Sequence, residues 1–478
     1  MSRFGTLILI FILSGAHLAF GQERKEIGLK ADVLQARQVN GRTIFDLVRP
    51  VLTENDSILS ADFGIDEGGG FLRFWGNVEI SELEDTLRSD RIRYNRNTKI
   101  GVAEGNVFLT DGVATIKAPN ATHFSDEDRT EFEGGVEYSD SLGSLSAPRA
   151  VYYTDTNAAR FSGGVLFSQD EIKVWADSVS YSRDEEISEA WGKVFIEQRT
   201  DSTSTHILTD YLFRDAKADS MEVAGHVRWA NVDSVAADTV FVYASTMSLV
   251  EKGGQNSVVA QDSVLVSTKS YALRGDSLVT LNRPNGIRLS RIFGNPMAWL
   301  ERTQVSADSL SYASVSGEKA NAPDSVRTSA AQPLKKLIPA DSLFGFGRVF
   351  VASEDSSSGR IQQISGRRMQ AVLRNDSLRT LIMEENAEAL FYMREFADDP
   401  LTAVAASGDG VVFEFEDGKP VNVGFYQDVK ALYYAENLLD QVSNLSGFIW
   451  KPELMPDRAV LSREFWDEVH SRNRTASN

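Results

Sequence analysis

Residues 103–109 read AEGNVFL, and the glycine-x-valine motif at their centre recurs throughout the stretch from Phe74 to Trp229. The motif occurs six times, at Gly76-Asn77-Val78, Gly105-Asn106-Val107, Gly134-Gly135-Val136, Gly163-Gly164-Val165, Gly192-Lys193-Val194 and Gly225-His226-Val227. The first five glycines are 29 residues apart, and the sixth follows after 33. A fixed period of this length is typical of repeat proteins, in which each unit stacks on its neighbours to cover its apolar face.

Two further sets of residues follow the same period of 29. One set is Ser60, Ser89, Ala118, Ala147 and Ala176, and the other is Ile65, Tyr94, His123, Tyr152 and Tyr181. They indicate that each unit holds two short extended segments.

The residues after each glycine predict β-strands, because apolar side chains alternate with polar ones. Glu79 and Glu137 lie between apolar neighbours, so one face of each strand should be buried and the other should meet water. The glycine suits a bulge or bend, and the short half-units leave no room for crossover helices, which favours antiparallel pairing.

The apolar residues of these strands are the candidate binding residues: Val78, Ile80, Val107, Leu109, Val136, Tyr138, Val165, Phe167, Val194, Ile196, Val227 and Trp229. They either fill a solid core or line a groove that takes fatty acyl chains.

We therefore predict an all-β fold built from strand pairs of about 29 residues, with a second, smaller β domain after a break in the pattern. The predicted boundaries are 1–21 for a signal peptide, 22–57 for a lead-in segment, 58–313 for the repeat domain, 314–340 for a flexible linker or long loop, 341–455 for the second domain and 456–478 for a polar tail.

The N-terminus predicts export. Met1 to Gly21 carries one basic residue, an apolar run and small residues near its end, which is typical of a secretory signal peptide. The chain has no cysteine, so it should rely on sheet packing and not on disulfides. With 49 basic and 68 acidic residues its net charge is −19, which disfavours nucleic acid as a partner.

Catalytic and metal-binding patterns are weak. Gly275-Asp276-Ser277-Leu278 resembles a hydrolase nucleophile motif, but Asp-Ser-Leu also occurs at 308–310, 341–343 and 376–378, and Asp-Ser-Val occurs at 177–179, 233–235 and 262–264. No two histidines have the spacing of a zinc pair. The acidic pairs Glu84-Asp85, Glu127-Asp128 and Glu185-Glu186 fall in predicted turns, where we expect solvated side chains. The sequence predicts no cofactor and no enzyme activity.

The repeats resemble a known family. Ser89 to Tyr94 followed by residues 103–107, and Ala176 to Tyr181 followed by residues 190–194, are similar to the OstA-like (LptA-like) lipopolysaccharide-transport proteins of the periplasm. The resemblance covers 60–243 well and 340–450 more weakly. It implies an elongated, open β-jellyroll.

The same resemblance implies a function and partners. Lipopolysaccharide would be carried through the periplasm with its lipid A acyl chains between the two sheets. The partners would be an inner-membrane jellyroll component and the outer-membrane translocon, joined by addition of edge strands. Head-to-tail self-association and association with the outer membrane are further expectations of the resemblance.

Two alternatives from other classes remain open. One is a secreted β-solenoid enzyme that acts on polysaccharide through acidic clusters on a sheet face. The other is a structural or adhesive surface repeat protein with a fully closed core.

Overall fold

The computed structural model describes residues 28–475, with gaps at 55, 84, 142, 154, 236, 254, 283–286, 316–340, 356–357, 375–376, 395–398 and 417–418. The predicted signal peptide, 1–21, lies outside the described residues, and so does nearly all of the predicted linker at 314–340. The chain divides into two compact units. The first comprises Met1–Asp201, Leu208–Lys217 and His470–Asn478, and the second comprises Ser202–Ile207 and Ala218–Val469.

The described residues of the first unit form fifteen strands. These are β1 (Gly28–Lys30), β2 (Val33–Val39), β3 (Arg42–Val48), β4 (Val51–Glu54), β5 (Ser57–Ser60), β6 (Phe63–Asp66), β7 (Phe71–Glu82), β8 (Asp85–Asn95), β9 (Ile100–Thr110), β10 (Thr115–Phe124), β11 (Arg129–Asp140), β12 (Gly143–Tyr153), β13 (Ala158–Gln169), β14 (Ile172–Ser182) and β15 (Ile187–Arg199). A 3-10 helix, Ser125–Glu127, separates β10 from β11. Strand β16 (Thr203–Asp215) has residues in both units.

The described residues of the second unit contain β17 (Ser220–Asp233), β18 (Asp238–Lys252), β19 (Gln255–Ser267), β20 (Tyr271–Asn282), β21 (Ile287–Phe293), β22 (Met297–Leu300), β23 (Thr303–Ser306), β24 (Ser309–Val315), β25 (Ser342–Glu354), β26 (Ile361–Arg374), β27 (Ser377–Met393), β28 (Thr402–Glu416), β29 (Lys419–Tyr426) and β30 (Lys430–Tyr434). The 3-10 helices Glu436–Gln441 and Pro452–Leu454 follow, and then the helix α1 (Arg458–Thr475). Strands β24 and β25, on either side of the predicted linker, pair directly with each other.

The prediction of an all-β, antiparallel fold is confirmed. From β7 to β15, each strand pairs in antiparallel register with the next one along the chain. The second unit continues in the same way from β17 to β20 and from β25 to β29. No helix in the described part of the chain is both long and apolar enough to span a membrane.

Each repeat strand bends at its glycine, as the sequence predicted. In β7 the register with β8 shifts between Trp75 and Val78, and both intervening residues have positive φ, 77° at Gly76 and 47° at Asn77. Two left-handed residues in the middle of a strand form a bulge and turn the backbone away from the flat sheet. Gly105, Gly192 and Gly225 head the same two-residue bulge in later repeats.

A side chain from the preceding strand contacts the glycine at each bend. A Cβ on Gly76 would lie 2.8 Å from the Cβ of Asp62, and Asn77 Nδ2 donates to Asp62 Oδ2 at 2.9 Å. At the bend of β11, Pro119 of β10 occupies the place of this aspartate and faces Gly134, and a second glycine, Gly135, replaces the asparagine. Proline offers no carboxylate to bind an asparagine side chain, so glycine is the residue that adopts this positive φ without strain.

The bends divide the repeat strands of the first unit into two walls. Wall A consists of the halves 78–82, 85–89, 107–110, 115–118, 136–140, 143–147, 165–169, 172–176 and 194–199, which pair with one another. Wall B consists of the halves 71–75, 91–95, 100–104, 120–124, 129–133, 149–153, 158–162, 178–182 and 187–191. Each strand therefore runs through both walls, with the bend between them and a turn at each far end.

The predicted phase is wrong for the first repeat. Tyr94 lies opposite Leu72, and Leu72 lies opposite Asp66, so the counterpart of Tyr94 is Asp66 and not Ile65. Ile65 lies opposite Arg73, on the other face of the sheet. The error arises because the turn between β6 and β7 is one residue shorter than the later turns of wall B: Asp66 and Leu72, which lie opposite each other, are six positions apart, whereas Tyr94 and Gly101 are seven apart. For the same reason Ala61, next to the bend residue Asp62, takes the place predicted for Ser60.

The C-terminal region of the second unit is ordered, although its described residues form no strand after β30. Residues 435–455, which we call the strap, are held by two buried glutamines. Gln304 donates to Ile449 O at 3.1 Å and accepts from Lys451 N at 2.7 Å. Gln363 donates to Asn444 Oδ1 at 2.7 Å and accepts from Leu445 N at 2.9 Å. Each side-chain amide thus satisfies two groups of the strap.

Helix α1 follows the strap and shows that the predicted polar tail is helical. Its first amides, at Ala459 and Val460, donate to Asp457 Oδ1 at 2.9 and 3.2 Å, which caps the helix. In the second unit its apolar side chain Phe465 packs edge-on against Phe241, with ring centroids 5.7 Å apart. Arg458 donates to Asp238 Oδ1 at 2.9 Å.

Replacement of a bend glycine should destabilise the fold. We expect Gly76→Ala to lower the free energy of unfolding by about 2–4 kcal/mol, because a side chain at positive φ is strained and the new Cβ would collide with Asp62. Urea denaturation followed by circular dichroism measures this change. The matched control is Gly424→Ala, where φ lies outside the left-handed region and a Cβ would meet nothing within 4 Å; it should remain within about 0.5 kcal/mol of wild type.

Loss of a buried glutamine should release the strap. Gln363→Ala removes both hydrogen bonds to residues 444–445, so chymotrypsin should cleave the variant near Leu445 and Phe448 under conditions that leave the wild type intact. Mass spectrometry of the fragments locates the cut. Gln198→Ala, an exposed change on β15, is the control and should leave cleavage unchanged. Equal protection of the Gln363 variant would show that the glutamine does not hold the strap.

Candidate functional site

The predicted binding residues lie on the inner face of their strands. Nine of the twelve are buried, and Tyr138, Phe167 and Trp229 are partly buried. Ten of them, from Val78 to Ile196, belong to wall A, while Val227 and Trp229 belong to β17 in the second unit. The structure therefore brings the first ten together on one surface.

One row of this surface is continuous across nine strands. Each member lies directly opposite the next, in the order Ile80, Leu87, Leu109, Ile116, Tyr138, Leu145, Phe167, Val174 and Ile196. The sequence analysis missed Leu87, Ile116, Leu145 and Val174, which come from the alternate strands. Their spacing of 29 residues was the signal that would have found them.

Wall B presents a second apolar row to the same interior. Its members are Phe74, Ile92, Ala103, Ala121, Phe132, Ala150, Phe161, Val179 and Ala190, again directly opposite one another. The two walls touch where Tyr138 of wall A meets Phe161 of wall B, with ring centroids 5.9 Å apart in an edge-to-face arrangement. The row of wall B includes four alanines among its larger residues, so large side chains of wall A have room beside them.

A cavity of about 70 Å³ lies between the walls in the first repeats. It is lined by apolar side chains that include Leu72, Ile80, Leu109 and Phe132, together with His123. For comparison, an apolar cavity of about 150 Å³ binds benzene. This cavity is therefore too small for a fatty acyl chain unless the walls separate.

Polar groups gather at the far ends of the walls, where the strands turn. On wall B, Tyr94, His123, Tyr152 and Tyr181 lie in this position, as members of the predicted period-29 set. Burial lowers the pKa of His123 to about 4 and raises the pKa of Tyr152. His123 Nδ1 lies 3.0 Å from Thr130 Oγ1, and its Nε2 has no hydrogen-bond partner among the described residues.

Buried acids occupy the corresponding ends of wall A. Asp111 is fully buried in the turn between β9 and β10, and Asp85 is 6% exposed. The expectation that acidic turns are solvated is therefore wrong for Asp85, because its turn folds against the end of wall B. Asp111 Oδ2 pairs with Arg183 Nη1 at 2.7 Å, across 72 residues of sequence.

Several groups hold Asp111 in its ionised form. Burial would raise the pKa of Asp111, but hydrogen bonds from the amide of Ala114, the Arg183 side chain and the amide of Val113 outweigh it and lower the pKa below its ordinary value. The two amides donate to Asp111 Oδ1 at 2.8 and 2.9 Å. Sequence analysis singled out neither Asp111 nor Arg183.

A larger groove, of about 1320 Å³, follows the bends of the first unit. It is lined by residues such as Pro119, Gly135, Pro148 and Gly164, where glycines leave the backbone uncovered. Arg472, near the end of α1, lies at its margin and donates to Val194 O at 2.7 Å. Both polar and apolar groups line this groove.

The described ranges contain no group of three histidine, aspartate or glutamate residues placed to hold a metal ion.

No protein-family model matches the sequence, and no curated protein matches it. The likeness to the OstA-like proteins thus remains an expectation from the repeat residues.

The buried histidine should make stability depend on pH. Because the folded state lowers the pKa of His123 to about 4, protonation favours the unfolded chain, and stability falls as the pH drops from about 6.5 towards 4. The neighbouring repeats carry Tyr at this position, so we make the replacement His123→Tyr. Between pH 7 and pH 4.5 the free energy of unfolding of this variant should fall by about 2–3 kcal/mol less than that of wild type. Urea titrations at the two pH values measure the difference. Thr122→Val on the same strand is the control and should change with pH as wild type does. An equal fall in the free energy of unfolding for wild type, His123→Tyr and Thr122→Val would show that His123 is not the source of the pH dependence.

Proposed function

We propose that this protein is an exported lipid carrier that binds the acyl chains of lipopolysaccharide between walls A and B and passes them towards the outer membrane. The observation that carries the proposal is the unbroken apolar row from Ile80 to Ile196, which faces a second apolar row on wall B. Such a surface favours ligands by burial of methylene groups and needs no covalent chemistry.

The repeat architecture supports the proposal in a second way. Nine successive strands each add one residue to the row, so the apolar surface extends for about 40 Å at the usual spacing of about 4.8 Å between strands. An extended apolar surface of uniform character suits several acyl chains, or one lipid at successive positions, better than it suits a compact small molecule.

The partners in this proposal follow from the family resemblance and from the sheet. Strand edges that carry unpaired backbone groups accept further strands, so an inner-membrane jellyroll protein, an outer-membrane translocon or a second copy would add to the sheet in this way. Export by a cleaved leader and residence in the periplasm belong to the same proposal.

A structural role with a permanently closed core is the second candidate. The observation in its favour is the small interior cavity of about 70 Å³. The two candidates differ in whether the walls separate to admit a lipid, and a single labelling experiment separates them.

Photo-crosslinking tests the carrier. A benzoylphenylalanine placed at Phe167 or Tyr138 should crosslink to purified lipid A added in solution, because both side chains face the interior. The same group at Leu166 or Glu137, the adjacent residues on the outer face, should give at least about tenfold less crosslinked product. This ratio corresponds to a preference of the acyl chains for the inner face of about 1.4 kcal/mol. Intact-protein mass spectrometry counts the adduct.

The replacements at 167 and 138 keep an aromatic side chain at each position, and circular dichroism checks that all four variants fold. Equal labelling at inner and outer positions would show adsorption to the surface. Absence of labelling at the inner positions would favour the closed-core candidate.

A further inference from the structure

The ion pair between Asp111 and Arg183 joins the two walls at their free ends. Asp111 lies in the turn that links β9 to β10 at the end of wall A, and Arg183 follows β14 at the end of wall B. Because the bends connect the walls on the other side, these ends form the mouth of the interior. The described structure thus places a charged contact across the mouth.

The ion pair joins residues of different walls, Asp111 of wall A and Arg183 of wall B. Strands β10 and β14 are four strands apart in the ladder, which corresponds to about 19 Å at a spacing of about 4.8 Å. A side-chain pair with a separation of 2.7 Å cannot bridge that distance along a single wall. It forms because the end of wall A folds over onto the end of wall B.

Most of the pair is shielded from water. The Asp111 side chain is fully buried, and the Arg183 side chain is 24% exposed. The charges of Arg183 and Asp111 both act on the pKa of Tyr152, after the larger effect of burial, so this ring lies close to the pair. On wall A, Tyr138 donates to Asp140 Oδ2 at 2.7 Å, and the charge of Arg183 acts on its pKa as well.

We propose that Asp111 and Arg183 form a latch that keeps the mouth closed, and that acyl chains enter the interior sideways between the wall ends when this ion pair opens. The proposal rests on the proposed lipid-carrier function and adds the route and the control of entry. It follows from two observations, the ion pair between the wall ends and a cavity between the walls that is too small for an acyl chain.

The first test weakens the latch without removing its turn. Asp111→Asn keeps an oxygen for the amides of Val113 and Ala114 but loses the charge that binds Arg183. Uptake of lipid A with a fluorescent acyl label, followed by stopped flow, should be about tenfold faster than in wild type, which corresponds to about 1.4 kcal/mol less free energy for opening. Glu79→Gln, which breaks the exposed ion pair with Arg88 at 2.8 Å, is the matched control and should load at the wild-type rate.

The second test locks the mouth. The sequence has no cysteine, so Asp111→Cys combined with Arg183→Cys gives the protein two thiols, both at the wall ends. Without reagent this double variant should load faster than wild type, because it lacks the ion pair. After reaction with a short bis-maleimide that joins the two thiols, uptake should fall to background.

The outcomes separate the latch from the carrier. Uptake by the cross-linked protein at the rate of the unlinked one, or wild-type kinetics in folded Asp111→Asn, would overturn the latch and leave lipid carriage intact. No uptake by wild type, Asp111→Asn or the unlinked double variant would overturn the carrier function itself. Circular dichroism of each variant excludes unfolding as the cause of any change.

Discussion

The bend at each repeat glycine is the feature on which the rest of the first unit depends. A flat strand has apolar residues on one face and must find a second sheet to cover them. Here the bulge at Gly76 and Asn77 folds the strand so that its two halves cover each other. Every repeat therefore contributes to both walls, and the apolar rows, the cavity and the polar mouth all follow from one backbone conformation.

The sequence predicted this local geometry well, because strand alternation and positive φ are properties of a few adjacent residues. The period of 29 also identified the inner face of wall A. Prediction failed where the chain departs from the repeat: the turn between β6 and β7 is one residue shorter than the later turns of wall B, so Ile65 lies on the opposite face. The ion pair of Asp111 and Arg183 has no sequence signal, because the contact between two wall ends depends on how the walls twist over each other.

The contacts of the strap are a further feature without a sequence signal. The strap carries several large apolar residues, and Leu439 packs with Leu390 and Leu401, but its polar anchors, Gln304 and Gln363, lie on distant strands. A buried glutamine satisfies one donor and one acceptor of a passing segment, so it holds an irregular segment where no strand ladder forms. Composition alone does not show where such a segment is held, because the deciding residues belong to the surface that receives it.

The small cavity and the proposed carrier function are compatible if the lipid replaces contacts that the walls make with each other. Loss of a buried ion-pair partner costs at most about 3–5 kcal/mol. Each methylene that leaves water contributes about 0.8 kcal/mol, so about four to six buried methylenes offset the opening of the latch. Long acyl chains exceed this length, while small apolar solutes do not. A mouth closed by one buried ion pair would thus select ligands by chain length, and the empty protein would keep its apolar rows covered in water.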